Sequence, residues 1–277
     1  MFSTQVGRAI PRLRKGPDVT LLLVFPAADG LLVLADGRRT KTTETLETIV
    51  LDEAARKSVT LPTGRGVVMA AGGTKFGDQY AADIFENALF DHQRSQDLSP
   101  MRAANLCFEA LREANSAYAD EERAVWLVVA GFDDGRPQLI EATLAYDGVD
   151  LPHEVDLASE YPPYAIPAFL EDSVGHLVRE RFGYLTPEDF YRLLALEEDD
   201  PEKEQLHTQG YTLLGLGLDD ITREVHRIMA DLLKEHAVRF SEAGVGGSWV
   251  SYRLKPDAQV EIETFRWGPY HQEISGS

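Results

Sequence analysis

Thr20, Asp36 and Arg38 are the first residues of this chain whose types could do chemistry together. Thr20 opens an apolar run over residues 20–25, and Asp36 and Arg38 close a second run that begins at Leu31. Between them lies Pro26-Ala27-Ala28-Asp29-Gly30, a turn sequence, so the segment predicts a β-hairpin with its polar residues at the ends. Both runs are continuously apolar, which predicts burial of both hairpin faces. A threonine hydroxyl becomes a nucleophile only with a base beside it. The plainer reading is a β-forming threonine at a strand start, with solvated charges at the strand ends.

The frame that must position these groups is limited by composition. The chain has 277 residues and 44% hydrophobic content, more than one average domain but within reach of a single large α/β fold. Its net charge of −19, from 27 Lys+Arg against 46 Asp+Glu, repels phosphate backbones and argues against a nucleic-acid partner. No apolar run approaches the ~20 residues of a membrane span, so no membrane partner is expected. Residues 1–17 carry Arg8, Arg12, Arg14 and Lys15, but Pro11 and Pro17 interrupt any signal-peptide core.

Cys107 is the single cysteine and falls in an apolar helical pattern. A buried, inert thiol in a cytoplasmic chain is expected. The seven histidines do not cluster. His226 and His236 share a helix without the i, i+4 spacing of a metal pair, so no metal site is expected and His226 reads as a surface or interface residue. The glycines from Gly72 to Asp78 do not match a phosphate-binding loop, and no cofactor is expected.

The order of elements is strands first, then helices, then strands. Residues 41–55 show no clear period. Residues 57–61 and 66–71 read as a second hairpin. Asp78 is positioned to cap a helix over residues 80–89, and Ser99-Pro100 opens another. Residues 124–130 and 138–146 read as strands joined at Asp133-Asp134-Gly135. Residues 165–182 read as helix, and the acidic stretch 187–208 as a solvated loop. Asp219-Asp220 caps a helix with an apolar stripe from Ile221 to Leu233, ended by Gly244-Val245-Gly246-Gly247. A hairpin over 249–254 and 260–265 follows. This order predicts an α+β fold of two antiparallel sheets with helices packed outside.

Three motifs in this order carry a resemblance. They are the hairpin ending Ala35-Asp36-Gly37-Arg38-Arg39-Thr40, Lys57 at the start of the third strand, and Ala71-Gly72-Gly73-Thr74 followed by Gly77-Asp78. With them the chain resembles proteasome β-type subunits and the HslV-like peptidases, N-terminal-nucleophile hydrolases with a four-layer αββα sandwich. The likeness covers residues 20–146 and, more loosely, 219–266. It implies a residue 1–19 extension or propeptide and one domain over 20–277, with an insertion around 183–215. It implies a threonine peptidase that exposes Thr20 by autoprocessing and cleaves peptides or unfolded proteins inside a homo-oligomeric ring, with an ATPase as a possible partner.

On that resemblance Thr20 is the nucleophile, and its freed α-amine, with a pKa of about 7.7–8.0, relays the proton. Lys57 lowers the hydroxyl's pKa, Asp36 keeps Lys57 charged, Gly72 N–H stabilises the oxyanion, and Arg38 braces the strand end. Several features differ from the family pattern, among them Leu21 as the second mature residue, Ser241-Glu242 in place of a clean Asp/Ser pair, and two that bear most on activity. Val19 stands before Thr20 where a glycine is usual, and residues 158–163 lack its Ser-Gly-Ser turn. They keep a second reading open, a catalytically inactive subunit of the family acting as a structural or binding module.

Overall fold

The leucine-rich run after Thr20 forms β1 (Leu22–Ala27), which turns back at Asp29 into β2 (Gly30–Asp36). The computed structural model describes residues 21–42, 48–92, 98–116, 124–145, 148–155, 157, 164–166, 201, 216–242 and 245–266. Thr20, residues 1–19, nearly all of the acidic stretch and the expected insertion lie outside these residues.

The fold is α+β, and every strand pair among the described residues is antiparallel. Two small hairpins come from β3 (Arg39–Thr42) with β4 (Thr48–Asp52), and from β7 (Lys75–Phe76) with β8 (Gln79–Tyr80). One five-stranded sheet joins β5 (Ser58–Thr60), β6 (Gly66–Gly72), β9 (Ala124–Asp133), β10 (Arg136–Ala145) and β11 (Gly148–Val155), in the order β11-β10-β9-β6-β5. The other adds β12 (Tyr164–Ile166), β13 (Ser248–Leu254) and β14 (Glu261–Arg266) to the first hairpin, in the order β12-β1-β2-β13-β14. Among the described residues α-helices run over α1 (Ala81–Leu89), α2 (Pro100–Ser116), α3 (Leu218–Glu235) and α4 (Ala237–Glu242).

The continuous apolar runs divide between two cores because strand side chains alternate between faces. Leu21, Leu23, Phe25, Leu32 and Leu34 pack with Ile221, Val225 and Met229 of α3. Leu22, Val24, Leu31 and Val33 pack against Val67, Met69 and Val128 of the other sheet. The far side of that sheet, including Val68, Leu127 and Val129, packs on Phe85 of α1 and Phe108 of α2. Cys107 is buried there, and burial pushes its thiol far above the ordinary range.

Several boundaries differ from the sequence reading. Asp78 caps no helix: it belongs to the turn between β7 and β8, where Gly77 has a φ of 58°. The helix starts three residues later, and Asp83 accepts a hydrogen bond from Tyr80 N–H at 2.9 Å to close its first turn. Asp219 and Asp220 likewise lie inside α3. Its open end is capped from the β1–β2 turn, where Asp29 Oδ1 accepts from Leu218 N–H at 2.6 Å. A cap borrowed across 189 residues has no local signature.

Residues 41–55 hold the end of β3 and all of β4, which leaves Ile49, Val50 and Leu51 exposed and so shows no one-sided periodicity. β11 escapes a pattern reading because it is an edge strand with exposed Val149 and Leu151 and an internal Pro152. Ala165 and Ile166, read as the start of a helix, instead pair with Leu23 and Leu22 in β12. The remainder of that expected helix lies outside the described residues.

Candidate active site

Three segments meet where β1, β2 and β5 begin or end. They are the end of β2 with residues 37–38, the 53–57 loop that leads into β5, and the glycine loop that precedes β13. Backbone bonds stitch them together. Gly37 N–H donates to Ser248 O at 2.6 Å, Arg38 N–H to Gly246 O at 3.0 Å, and Ala55 N–H to Gly37 O at 2.7 Å.

Asp36 sits at the centre, 1% exposed, opposite Trp249 in the β2–β13 register. Its Oδ1 accepts from Lys57 Nζ at 3.2 Å and from Leu21 N–H at 2.9 Å, and its Oδ2 accepts from Gly246 N–H at 3.1 Å. The Lys57 ammonium also donates to the Arg38 carbonyl oxygen. Lys57 is 3% exposed, so the ion pair is withdrawn from water on both sides. A buried pair is tolerable only when further hydrogen bonds satisfy both ions, as here. Burial pushes the Asp36 carboxyl above the usual carboxylate range, while the Lys57 charge and the Gly246 and Leu21 N–H groups pull in the opposite direction.

Arg38 reaches the same loop. Its Nε donates to Glu53 at 3.2 Å and its Nη1 to Val245 O at 3.3 Å. Gly246 has a φ of 146°, and a Cβ there would stand 2.8 Å from the Arg38 guanidinium carbon. The loop therefore needs glycine both to turn and to let Arg38 lie over it.

Gly72 stands at the end of β6, two residues beyond Ala70, whose N–H donates to Lys57 O at 2.8 Å. Its φ is 82°, and an added Cβ would lie 2.2 Å from Ala124 O. Packing against β9 thus demands a glycine at this position whatever else its N–H does.

The structure brings together Asp36, Lys57 and Arg38 and places Gly72 on the neighbouring strand. Thr20 lies outside the described residues, although Leu21, the next residue, is bonded to Asp36 through both its N–H and its carbonyl. Sequence reasoning missed Gly246, Val245 and Glu53. The signal available for the first two was the glycine density of residues 244–247, read only as a helix stop. His226, read as a surface or interface residue, is half-buried, with its ring 4.5 Å from that of Phe265. Among the described residues no group of His, Cys, Asp and Glu is placed to hold a metal ion, and no helix is long and apolar enough to cross a membrane.

No family model matches the chain, and no curated protein matches it. Among solved structures it is similar to an Anbu Gly-1 mutant from Hyphomicrobium sp. strain MC1, with a TM-score of 0.48 and 14% identity over 90% of this chain and 88% of that one. It is similar to Anbu from the same strain, with a TM-score of 0.47 and 15% identity over 90% and 88%. A third is Anbu, described as an ancestral beta-subunit, from Yersinia bercovieri, with a TM-score of 0.46 and 14% identity over 91% and 88%.

The resemblance to proteasome β-type and HslV-like hydrolases is overturned. The chain matches no family model, and the structures it is similar to are Anbu proteins, too distant to assign it a family. The motifs behind the resemblance are short, and backbone geometry accounts for part of them. Gly37 and Gly72 are both required by carbonyl oxygens that a Cβ would strike, Ser248 O at 2.6 Å and Ala124 O at 2.2 Å.

Proposed function

We propose that the chain is a hydrolase whose nucleophile is Thr20, freed as an N-terminal residue by cleavage of the Val19–Thr20 bond. The observation that carries this reading is the bond from Leu21 N–H to Asp36 Oδ1, the same oxygen that holds Lys57 Nζ. The chain enters a buried ion pair one peptide bond after Thr20.

In this reading the Thr20 hydroxyl oxygen attacks a peptide carbonyl carbon and its proton passes to the free α-amine. The Lys57 ammonium favours the developing alkoxide, and Asp36 keeps that ammonium charged and oriented. The Gly72 N–H takes the oxyanion. Arg38 braces the glycine loop. The C–N bond then breaks, the amine leaves with the proton, and water hydrolyses the ester left on Thr20. A four-layer αββα order, with α3 outside one sheet and α1 and α2 outside the other, belongs to this reading, and the three apolar clusters support it. So do a peptide or unfolded-protein substrate, a cytoplasmic setting and a homo-oligomeric ring, which would cover the exposed Ile49, Val50 and Leu51.

A second reading is a non-catalytic structural or binding module. It is favoured by the bonds of Lys57 Nζ to Asp36 and the Arg38 carbonyl, which make the pair a rivet between strand ends.

Intact mass and N-terminal sequencing of the purified protein test the two. A mature chain beginning at Thr20, with hydrolysis of fluorogenic peptides abolished by Thr20→Ala, is expected. An unprocessed wild-type chain without turnover would leave the module reading.

A further inference from the structure

The other edge of β5 carries a polar contact that the hydrolase reading does not use. Ser58 Oγ and the Tyr252 hydroxyl lie 2.5 Å apart. Tyr252 stands in β13, opposite Val33 of β2, and is 5% exposed within the apolar layer between the sheets. Ser58 follows Lys57 and stands opposite Met69 of β6.

β5 is three residues long and stands at one edge of its sheet. Its ladder to β6 fixes it within that sheet, and the bond from Ala55 N–H to Gly37 O ties the loop before it to the end of β2, where Lys57 must deliver its charge. Side chains of consecutive residues add to that connection: Lys57 Nζ to Asp36 and the Arg38 carbonyl oxygen, and Ser58 Oγ to Tyr252. The pair is part-buried, with Tyr252 the buried member, and such a hydroxyl contact is directional and costs free energy when broken on one side.

We infer that Tyr252 is a positioning residue for Lys57: its hydroxyl, through Ser58, holds β5 at the spacing from β13 and β2 that sets the Lys57 ammonium against Asp36. The role in catalysis rests on the proposed hydrolase reading; the placement of the ammonium does not.

The experiment uses the full chain with Tyr252→Phe, Ser58→Ala, the double variant and Ser58→Thr. Two readouts are followed: the Lys57 ammonium resonance in a proton–nitrogen NMR spectrum, assigned by its loss in Lys57→Met, and the rate of Val19–Thr20 cleavage by intact mass. Expected are a displaced or exchange-broadened Lys57 signal in Tyr252→Phe and Ser58→Ala, and a double variant no worse than either single. Ser58→Thr, which keeps the hydroxyl, should restore the signal. Cleavage should slow about tenfold or more in the two hydroxyl-deletion variants, since small displacements of a catalytic group are costly.

An unmoved Lys57 signal in Tyr252→Phe would overturn the positioning role, whether or not the chain is processed. So would additive effects of the two deletions. A wild-type chain that is never cleaved, combined with a displaced Lys57 signal in the variants, would sink the hydrolase reading and leave the placement standing.

Discussion

The Asp36 carboxylate receives the Lys57 ammonium at 3.2 Å, with 0% of one side chain and 2% of the other open to solvent. Removing one member strands the other charge, a loss that typically costs about 3–5 kcal/mol. Lys57→Met should therefore lower the unfolding free energy by about 3 kcal/mol in a urea titration. The double variant Asp36→Asn with Lys57→Met should lose less than the sum of the singles. Additive losses would show that the two side chains do not act as a pair.

Gly72 and Gly135 separate conformational strain from collision. Both have positive φ, 82° and 76°, but a Cβ at Gly72 meets Ala124 O at 2.2 Å whereas one at Gly135 meets nothing within 4 Å. Gly135→Ala should cost about 1 kcal/mol, the strain alone. Gly72→Ala should cost at least ~2 kcal/mol more, because a backbone carbonyl must move. Equal melting temperatures for the two variants would contradict this.

Asp29 ties the β1–β2 turn to the start of α3 through Leu218 N–H. Asp29→Ala should cost about 1 kcal/mol, the usual loss for an N-terminal cap, and Asp29→Asn much less. Amide exchange at the first turn of α3 is the direct measurement. Unchanged protection in Asp29→Ala would rule out the cap.

His226 has its pKa lowered, first by burial, with the Glu263 charge acting in the opposite direction. Below about 6.5 the unfolded chain takes up a proton there that the folded chain resists. The unfolded state then binds more protons, so this residue makes stability fall as pH drops from 6.5 toward its folded pKa. His226→Gln should reduce the loss of melting temperature between about pH 7.5 and pH 5.5. Identical slopes in variant and wild type would refute the lowered pKa.

The apolar runs around the first hairpin and the stripe of α3 were legible along the chain, although the strand runs on through Pro26 and Ala27 and the turn is only Ala28-Asp29. Each depends on periodicity and turn chemistry that neighbouring residues set among themselves. The α+β class and most strand positions followed from these. Tertiary structure decided which polar groups meet. Gly246 lies 210 residues from the Asp36 carboxylate it serves, Leu218 lies 189 residues from its cap, and Tyr252 lies 194 residues from Ser58. Those contacts exist because two sheets stack and α3 returns the chain to the first hairpin. Hydrogen bonds of 2.5–3.1 Å between such distant residues have no pattern in composition or spacing. The sequence by itself thus determined local elements and the faces they bury, while the packed fold alone determined the surroundings of Asp36 and Lys57.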